Sequence, residues 1–322
     1  SVVTPTTVGS VNVKITSVGA FSGTLQFPAF PTIPIHGKLN PNGLAAFSPA
    51  TYNGHQIIVN LTLPLDSTAR TLQGLVGQAG IWTANLFAYR QNSGLGTNTV
   101  PTPGKYVLLF VPPALTTNGP TASGYGLATI DSDGNLTMAG AMPDGATFTE
   151  SANVSDYGYW PAFFVPSGYQ KRGMVVGWEF FHAPGTNSII TNSAFSAIDW
   201  VKLKGVGPTY TGGFGMAMTS PGGQFIPPAP NTQYSFIFSG GNLTNSITNL
   251  VTVDVNGNFA DSPVTSGLSL SADGQLSGNF SNPQTGETLS LQGGFINPLL
   301  GGGGFVPDNS GTSEGFLIQP VH

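Results

Sequence analysis

Hydrophobic and polar positions alternate with a period of two along most of this chain, and almost nowhere with the period of a helix. Ser10-Val-Asn-Val-Lys-Ile-Thr16 alternates cleanly and predicts a first strand. Apolar or alternating segments at 21–27, 33–39, 44–47, 56–63, 72–76 and 81–90 predict the next strands. The middle adds 106–111, 126–131, 136–141, 147–154 and 196–203; the last third adds 234–238, 250–255, 268–270, 275–280, 288–295 and 315–318. Two richer runs, 159–165 and 174–181, flank a turn centred on 167–173 and hold two of the four Trp. Their β-branched and aromatic content predicts the most buried hairpin of the molecule. Only residues 66–76 read as a short helical turn, and the 45 Gly and 26 Pro break anything longer. The prediction is an all-β, antiparallel chain of about eighteen to twenty short strands. They form meander or barrel-like units built from repeated hairpins, with little or no helix.

One turn cassette recurs four times: Leu39-Asn-Pro-Asn-Gly-Leu44, Ile130-Asp-Ser-Asp-Gly-Asn-Leu136, Val253-Asp-Val-Asn-Gly-Asn-Phe259 and Leu270-Ser-Ala-Asp-Gly-Gln-Leu276. A side chain such as Asn40 or Asp131 caps the turn, and Pro41 or Ser132 takes the first corner. Gly43 or Gly134 then adopts positive φ and forms the bulge, a type I turn joining antiparallel strands. A longer echo links Gly19-Ala-Phe-Ser-Gly-Thr-Leu25 to Gly274-Gln-Leu-Ser-Gly-Asn-Phe280. Glycines at matching strand positions suggest sharply coiled sheets. The polar, Pro-containing connector at 92–104 and the Gly- and Pro-rich stretches at 205–209 and 220–232 mark weak points. They suggest three β units, residues 1–98, 99–208 and 209–322, which can pack as one or two continuous domains.

Composition narrows the function classes. Only 7% of residues are charged, where roughly 25% is usual, and mean hydropathy is near zero. Ser, Thr, Asn, Gln and Gly stand where charge would be. A surface hydrated by neutral dipoles should depend weakly on pH and salt. It also lacks the like-charge repulsion that keeps copies apart. With net charge −5 and Lys171-Arg172 as the one basic doublet, a nucleic-acid partner is not expected. The chain has no Cys, hence no disulfides or thiolate metal sites. No apolar run approaches the roughly 20 residues of a membrane span. Ser1-Val-Val-Thr-Pro-Thr-Thr reads as a mature N-terminus left by a cleaved signal peptide, so an extracellular or cell-surface location is expected.

A set of ordered motifs adds to this: Gly124-Tyr-Gly, Asp144-Gly, Val154-Ser, Tyr159-Trp-Pro, Gly177-Trp, Asp199-Trp-Val-Lys202, Leu276-Ser-Gly-Asn-Phe280, Thr285-Gly, Gly293-Gly-Phe295 and the run 302–305. From about Phe21 onward the chain resembles a β-rich module of large secreted proteins from verrucomicrobium- and planctomycete-type bacteria. The resemblance implies export and an all-β fold, and it supplies no catalytic residue.

Candidate chemistry is sparse. Asp131, Asp133 and Asn135, with the sister loop Asp254, Asn256 and Asn258, place oxygens at alternate positions as calcium loops do. The EF-hand spacing fails, because Gly134 comes fourth and Met142 sits where the bidentate Glu belongs. A plain hairpin turn accounts for both loops, and calcium is the one cofactor the sequence leaves open. Glu179 and His182, with Asp199, form the one carboxylate–imidazole cluster, but residues three apart on a strand face opposite sides. His36 and His55 stand alone, and no Gly-x-Ser-x-Gly elbow occurs. Glu150 with Asp156, or Glu179 with Asp199, would be the carboxylate pairs of a glycosidase. Tyr157, Tyr159, Trp160 and Tyr169 would form a glycan-stacking platform, against a core role for the Trp residues. Asn-x-Ser/Thr sequons stand at Asn60, Asn135, Asn153, Asn242 and Asn279.

The first strand, with Val11, Val13 and Ile15 on one face, can pair within its own subunit or add to a sheet edge of a neighbour. The leading expectation is therefore a non-enzymatic, exported structural subunit of a filament, sheath or surface layer, whose partners are copies of itself. A secreted carbohydrate-binding or adhesive module is the alternative, with glycans as partners, and a glycoside-active enzyme is third.

Overall fold

Strands bounded by glycine-cornered turns leave a chain one economical way to bury its apolar faces: each hairpin pairs with the next, and the sheets stack. The structure, a computed structural model, describes residues 3–66, 70–91, 101–114, 118–182, 189–192, 197–308 and 311–321. Among these residues there are twenty-four strands and no helix, and every pairing is antiparallel.

The first unit is two meanders face to face. β1 (Ser10–Ile15), β2 (Ala20–Gln26) and β3 (Ile33–Lys38) form one sheet. β4 (Leu44–Tyr52), β5 (His55–Thr62), β6 (Thr71–Gln78) and β7 (Trp82–Tyr89) form the other. Between them lie Phe21, Leu25, Ile35, Ile57, Val59 and Leu61, all buried. Val11, Val13 and Ile15 of β1 pack partly buried on this core. The helical turn expected at 66–76 gives way to β6, because Leu72 and Val76 face the core with an even spacing and the strand pairs with both β5 and β7. Residues 67–69 of that expectation, 92–100 of the expected connector and 196 of an expected strand lie outside the described residues.

The second unit is one strongly curled ten-stranded sheet. Its strands are β8 (Gly104–Phe110), β9 (Gly124–Ile130), β10 (Asn135–Ala141), β11 (Thr147–Asn153), β12 (Tyr159–Phe164), β13 (Gly173–Phe181), β14 (Ile189–Asn192), β15 (Ile198–Lys202), β16 (Phe214–Met218) and β17 (Gly222–Gln224). Their order is β11-β10-β9-β8-β17-β14-β13-β15-β16, with β12 on the other edge of β13. β16 and β17 carry this sheet past residue 208, so the third unit's own strands begin near Gln233. The curl brings β11 back to β12. There the Phe163 amide donates to Glu150 Oε1 at 2.8 Å, a side-chain bond at a seam with no strand ladder, and the Ser167 amide donates to the Thr147 carbonyl at 2.7 Å. The interior of the curl holds Tyr106, Phe110, Phe148, Trp160, Phe181 and Trp200. The strand pair expected to be most buried, β12–β13, does send Trp160 and Phe181 into this interior, while Trp178 is only half-buried.

The third unit is a seven-stranded sheet of β18 (Gln233–Gly240), β19 (Ile247–Thr252), β20 (Thr265–Leu270), β21 (Gln275–Ser281), β22 (Thr288–Asn297), β23 (Gly301–Pro307) and β24 (Ser313–Pro320), ordered β19-β18-β24-β23-β22-β21-β20. One face buries stacked aromatics such as Phe238 on Phe280, 4.1 Å between ring centres. Its back lies against β8 and β9, where Val107, Leu109 and Tyr125 meet Ile296 and Phe305. Glycines make that approach possible: a Cβ on Gly294 would fall 2.5 Å from Val107 Cγ1.

All four turn cassettes form as their residues dictate. Asn40 Oδ1 accepts from the amides of Asn42 and Leu44, Asp131 Oδ1 from those of Asp133 and Asn135, and Asp254 Oδ1 from those of Asn256 and Asn258. In the fourth, Ser271 Oγ accepts from the Gln275 amide. Gly43, Gly134, Gly257 and Gly274 all have φ between 76 and 92°.

Candidate functional site

The curled sheet sorts the predicted platform residues by strand parity. On β12, Tyr159 points outward and Trp160 inward, fully buried. Tyr169, in the β12–β13 turn, folds back into the interior and is 1% exposed. Neither Trp160 nor Tyr169 can therefore stack on a glycan. Tyr157 is 52% exposed and Tyr159 half-buried, and both belong to a strip that the sequence reading did not assemble. Tyr89 at the end of β7 stacks on Tyr159 (4.5 Å, 10° between planes) and meets Tyr157 and Trp178 edge-on. Phe87 extends the strip on one side; Phe180 and His182 extend it on the other. It straddles the junction of the first two units, beside the Arg70–Asp156 ion pair (2.6 Å). Alternation on β13 gave half the signal, since Trp178, Phe180 and His182 share a face. The contribution of β7 is a long-range contact that no local pattern announces.

The residues of the two calcium candidates are engaged in their own turns. Asp131 Oδ1 and Asp254 Oδ1 face their own turn amides, and Asp131 Oδ2 accepts from the Asn135 side chain at 2.8 Å. Those bonds hold the Asp131 and Asp254 carboxyls below their ordinary range. Asp133, Asn135, Asn256 and Asn258 lie in the same two exposed turns, donating to the aspartates, and the two turns belong to different sheets. Among the described residues no three His, Cys, Asp or Glu side chains gather as metal ligands.

Two ionic clusters lie inside the curled sheet instead. In one, Glu150 of β11 and Glu179 of β13 face the same interior. Burial pushes Glu179 up to about 8, opposed by a hydrogen bond with Ser220 and reinforced, to a lesser degree, by the charge of Glu150. Burial also raises Glu150 to about 7, against the stabilising bond from the Phe163 amide. One carboxyl from each predicted glycosidase pair thus meets the other. Glu179 is 0% and Glu150 8% exposed, however, so neither faces solvent. His182 lies on the opposite face from Glu179, as strand parity requires, with Nε2 2.8 Å from Thr191 Oγ1.

The second cluster joins Asp144, in the β10–β11 turn, to Lys202 at the end of β15. Lys202 Nζ lies 2.7 Å from Asp144 Oδ2, and both side chains are 1% exposed. The Tyr169 hydroxyl donates to the same oxygen at 2.7 Å and accepts from Trp200 Nε1 at 3.0 Å. Lys202 also donates to the Thr209 carbonyl at 2.8 Å and stands over the Tyr169 ring. Inward parity with Ile198 and Trp200 on β15 is the signal that places Lys202 here. By contrast, a shallow surface concavity of about 450 Å³ between Tyr125, Phe148, Val165 and Gln275 is lined by neutral groups only.

No family model matches the chain, and no curated protein or solved structure matches it significantly.

Proposed function

We propose that the chain is a structural module of an extracellular assembly, joined to copies of itself through sheet edges and neutral polar surfaces. The observation that carries this reading is β1. Among the described residues it pairs with β2 alone, along one side, so its outer row of backbone groups faces away from the sheet, ready to take a strand. Val11, Val13 and Ile15 anchor its inner face, while Asn12 and Lys14 are exposed. Low surface charge supports close approach of copies, and the resemblance to modules of secreted proteins supports export. The buried position of Glu150, Glu179, Asp144 and Lys202 supports a framework role for the ionic groups. Light scattering across a concentration series tests the proposal. Mass should rise with concentration, and Asn12→Lys, which adds charge beside Lys14 on the edge, should weaken the rise without unfolding the chain. A monomer throughout the series overturns it.

The aromatic strip favours a second reading, a glycan-binding or adhesive module, because Tyr157 and Phe87 (38% exposed) present ring surface beside polar neighbours. A glycan array with Tyr157→Ala as control separates the two. Binding lost in the variant supports adhesion, and no binding to any glycan disposes of it.

A further inference from the structure

We propose that Lys202 and Asp144 condense within the folded chain into an intramolecular isopeptide bond. The proposal needs only the fold and is independent of whether the chain assembles. Its ground is the environment of the pair. An ammonium and a carboxylate held 2.7 Å apart, each 1% exposed, carry a large desolvation penalty that a neutral amide would abolish. Water, which would drive the reverse hydrolysis, is excluded by Tyr169, Trp200 and Val206, all nearly inaccessible. Two motifs far apart in the sequence, Asp144-Gly and Asp199-Trp-Val-Lys202, thus meet at one point.

Each atom of the condensation has a partner. Nζ passes one proton to Asp144 Oδ2, leaving an amine beside a carboxylic acid. The amine lone pair attacks Cγ, forming the C–N bond. Negative charge developing on Oδ1 is met by the Ala146 amide, 3.2 Å away. Tyr169 donates to Oδ2 and takes back a proton from the nitrogen, so the Cγ–Oδ2 bond breaks and Oδ2 leaves as water. Burial first, then the Asp144 charge, pushes the Tyr169 hydroxyl far up, so it acts as a relay and holds no lasting charge. The remaining N–H stays on the Thr209 carbonyl. One carboxyl and one amine give one amide and one water, with no oxidant or co-reactant. The closed loop would enclose β11 to β15, and with them the β11–β12 seam that no strand ladder closes.

Intact mass measured on the denatured chain tests the bond. The expected result is a mass one water below that of the sequence, trypsin failing to cut after Lys202, and a branched peptide joining Asp144 to Lys202. Lys202→Met and Asp144→Ala should each restore the full mass. Should those variants fail to fold, the unsubstituted chain decides alone: full mass with normal cleavage after Lys202 overturns the proposal. Tyr169→Phe, produced unfolded and uncondensed and then refolded, should lose water more slowly than the unsubstituted chain treated alike, and an unchanged rate would remove Tyr169 from the reaction.

Discussion

Replacing Glu179 by Gln should remove the largest part of a pH dependence that so charge-poor a surface does not announce. Glu179 has an ordinary carboxyl value of 4.5 when unfolded and about 8 when folded, because burial penalises its charged form. Below pH 4.5 it is protonated in both states, and the folded chain carries no penalty. From there to about pH 8 the unfolded chain releases a proton that the folded chain keeps, so stability falls as pH rises. Each tenfold difference in proton affinity corresponds to about 1.4 kcal/mol, which gives roughly 5 kcal/mol for Glu179 taken alone. Glu150, raised to about 7, titrates against the same neighbour, so the pair shares its protons and Glu179 carries nearer 3–5 kcal/mol. Guanidinium unfolding from about pH 5 to about pH 8.5 reads this directly. The unsubstituted chain should lose stability across that window. Glu179→Gln should show a shallower loss, the part left by Glu150 and Glu314, both raised to about 7, close to the unsubstituted chain at the acid end and several kcal/mol more stable at the alkaline end. A flat profile for the unsubstituted chain, or an equal slope in both, would refute the assignment of a buried, protonated carboxyl.

Three further outcomes are expected. Phe238→Ala removes a fully buried ring stacked on Phe280 and should cost about 3–5 kcal/mol, measured by the same unfolding assay. Gly301→Ala should destabilise much more than Gly54→Ala. Both have positive φ, worth about 1–2 kcal/mol, but a Cβ on Gly301 would sit 1.9 Å from the Ile318 carbonyl oxygen while Gly54 has open space. Calcium or a chelator should leave the melting temperature unchanged, because the Asp131 and Asp254 oxygens are bonded to their own turns; a rise with calcium would restore the metal reading.

What could be read from the sequence was local. Asn40, Asp131 and Asp254, each followed by a positive-φ glycine, fixed their turns because cap, corner and bulge all lie within a few residues. Strand parity foretold that Glu179 and His182 face apart. The same parity, applied to Phe148 with Glu150 and to Ile198 with Lys202, would have placed both ionic side chains inside, and with them the pH dependence that scarce charge argued against. What lay beyond reach was partner choice. β17 sits between β8 and β14, more than a hundred residues from β8, and nothing in its three residues Gly-Gly-Gln names those neighbours. The aromatic strip failed to assemble for the same reason, since Tyr89 reaches Tyr159 across two units.

The claim on which the rest depends is that this is a building block whose ionisable groups serve the framework. Negative-stain electron microscopy of the native material at high concentration tests it most directly. Regular filaments, sheets or arrays of one repeating unit are expected, and a field of separate, uniform single particles would contradict the assignment.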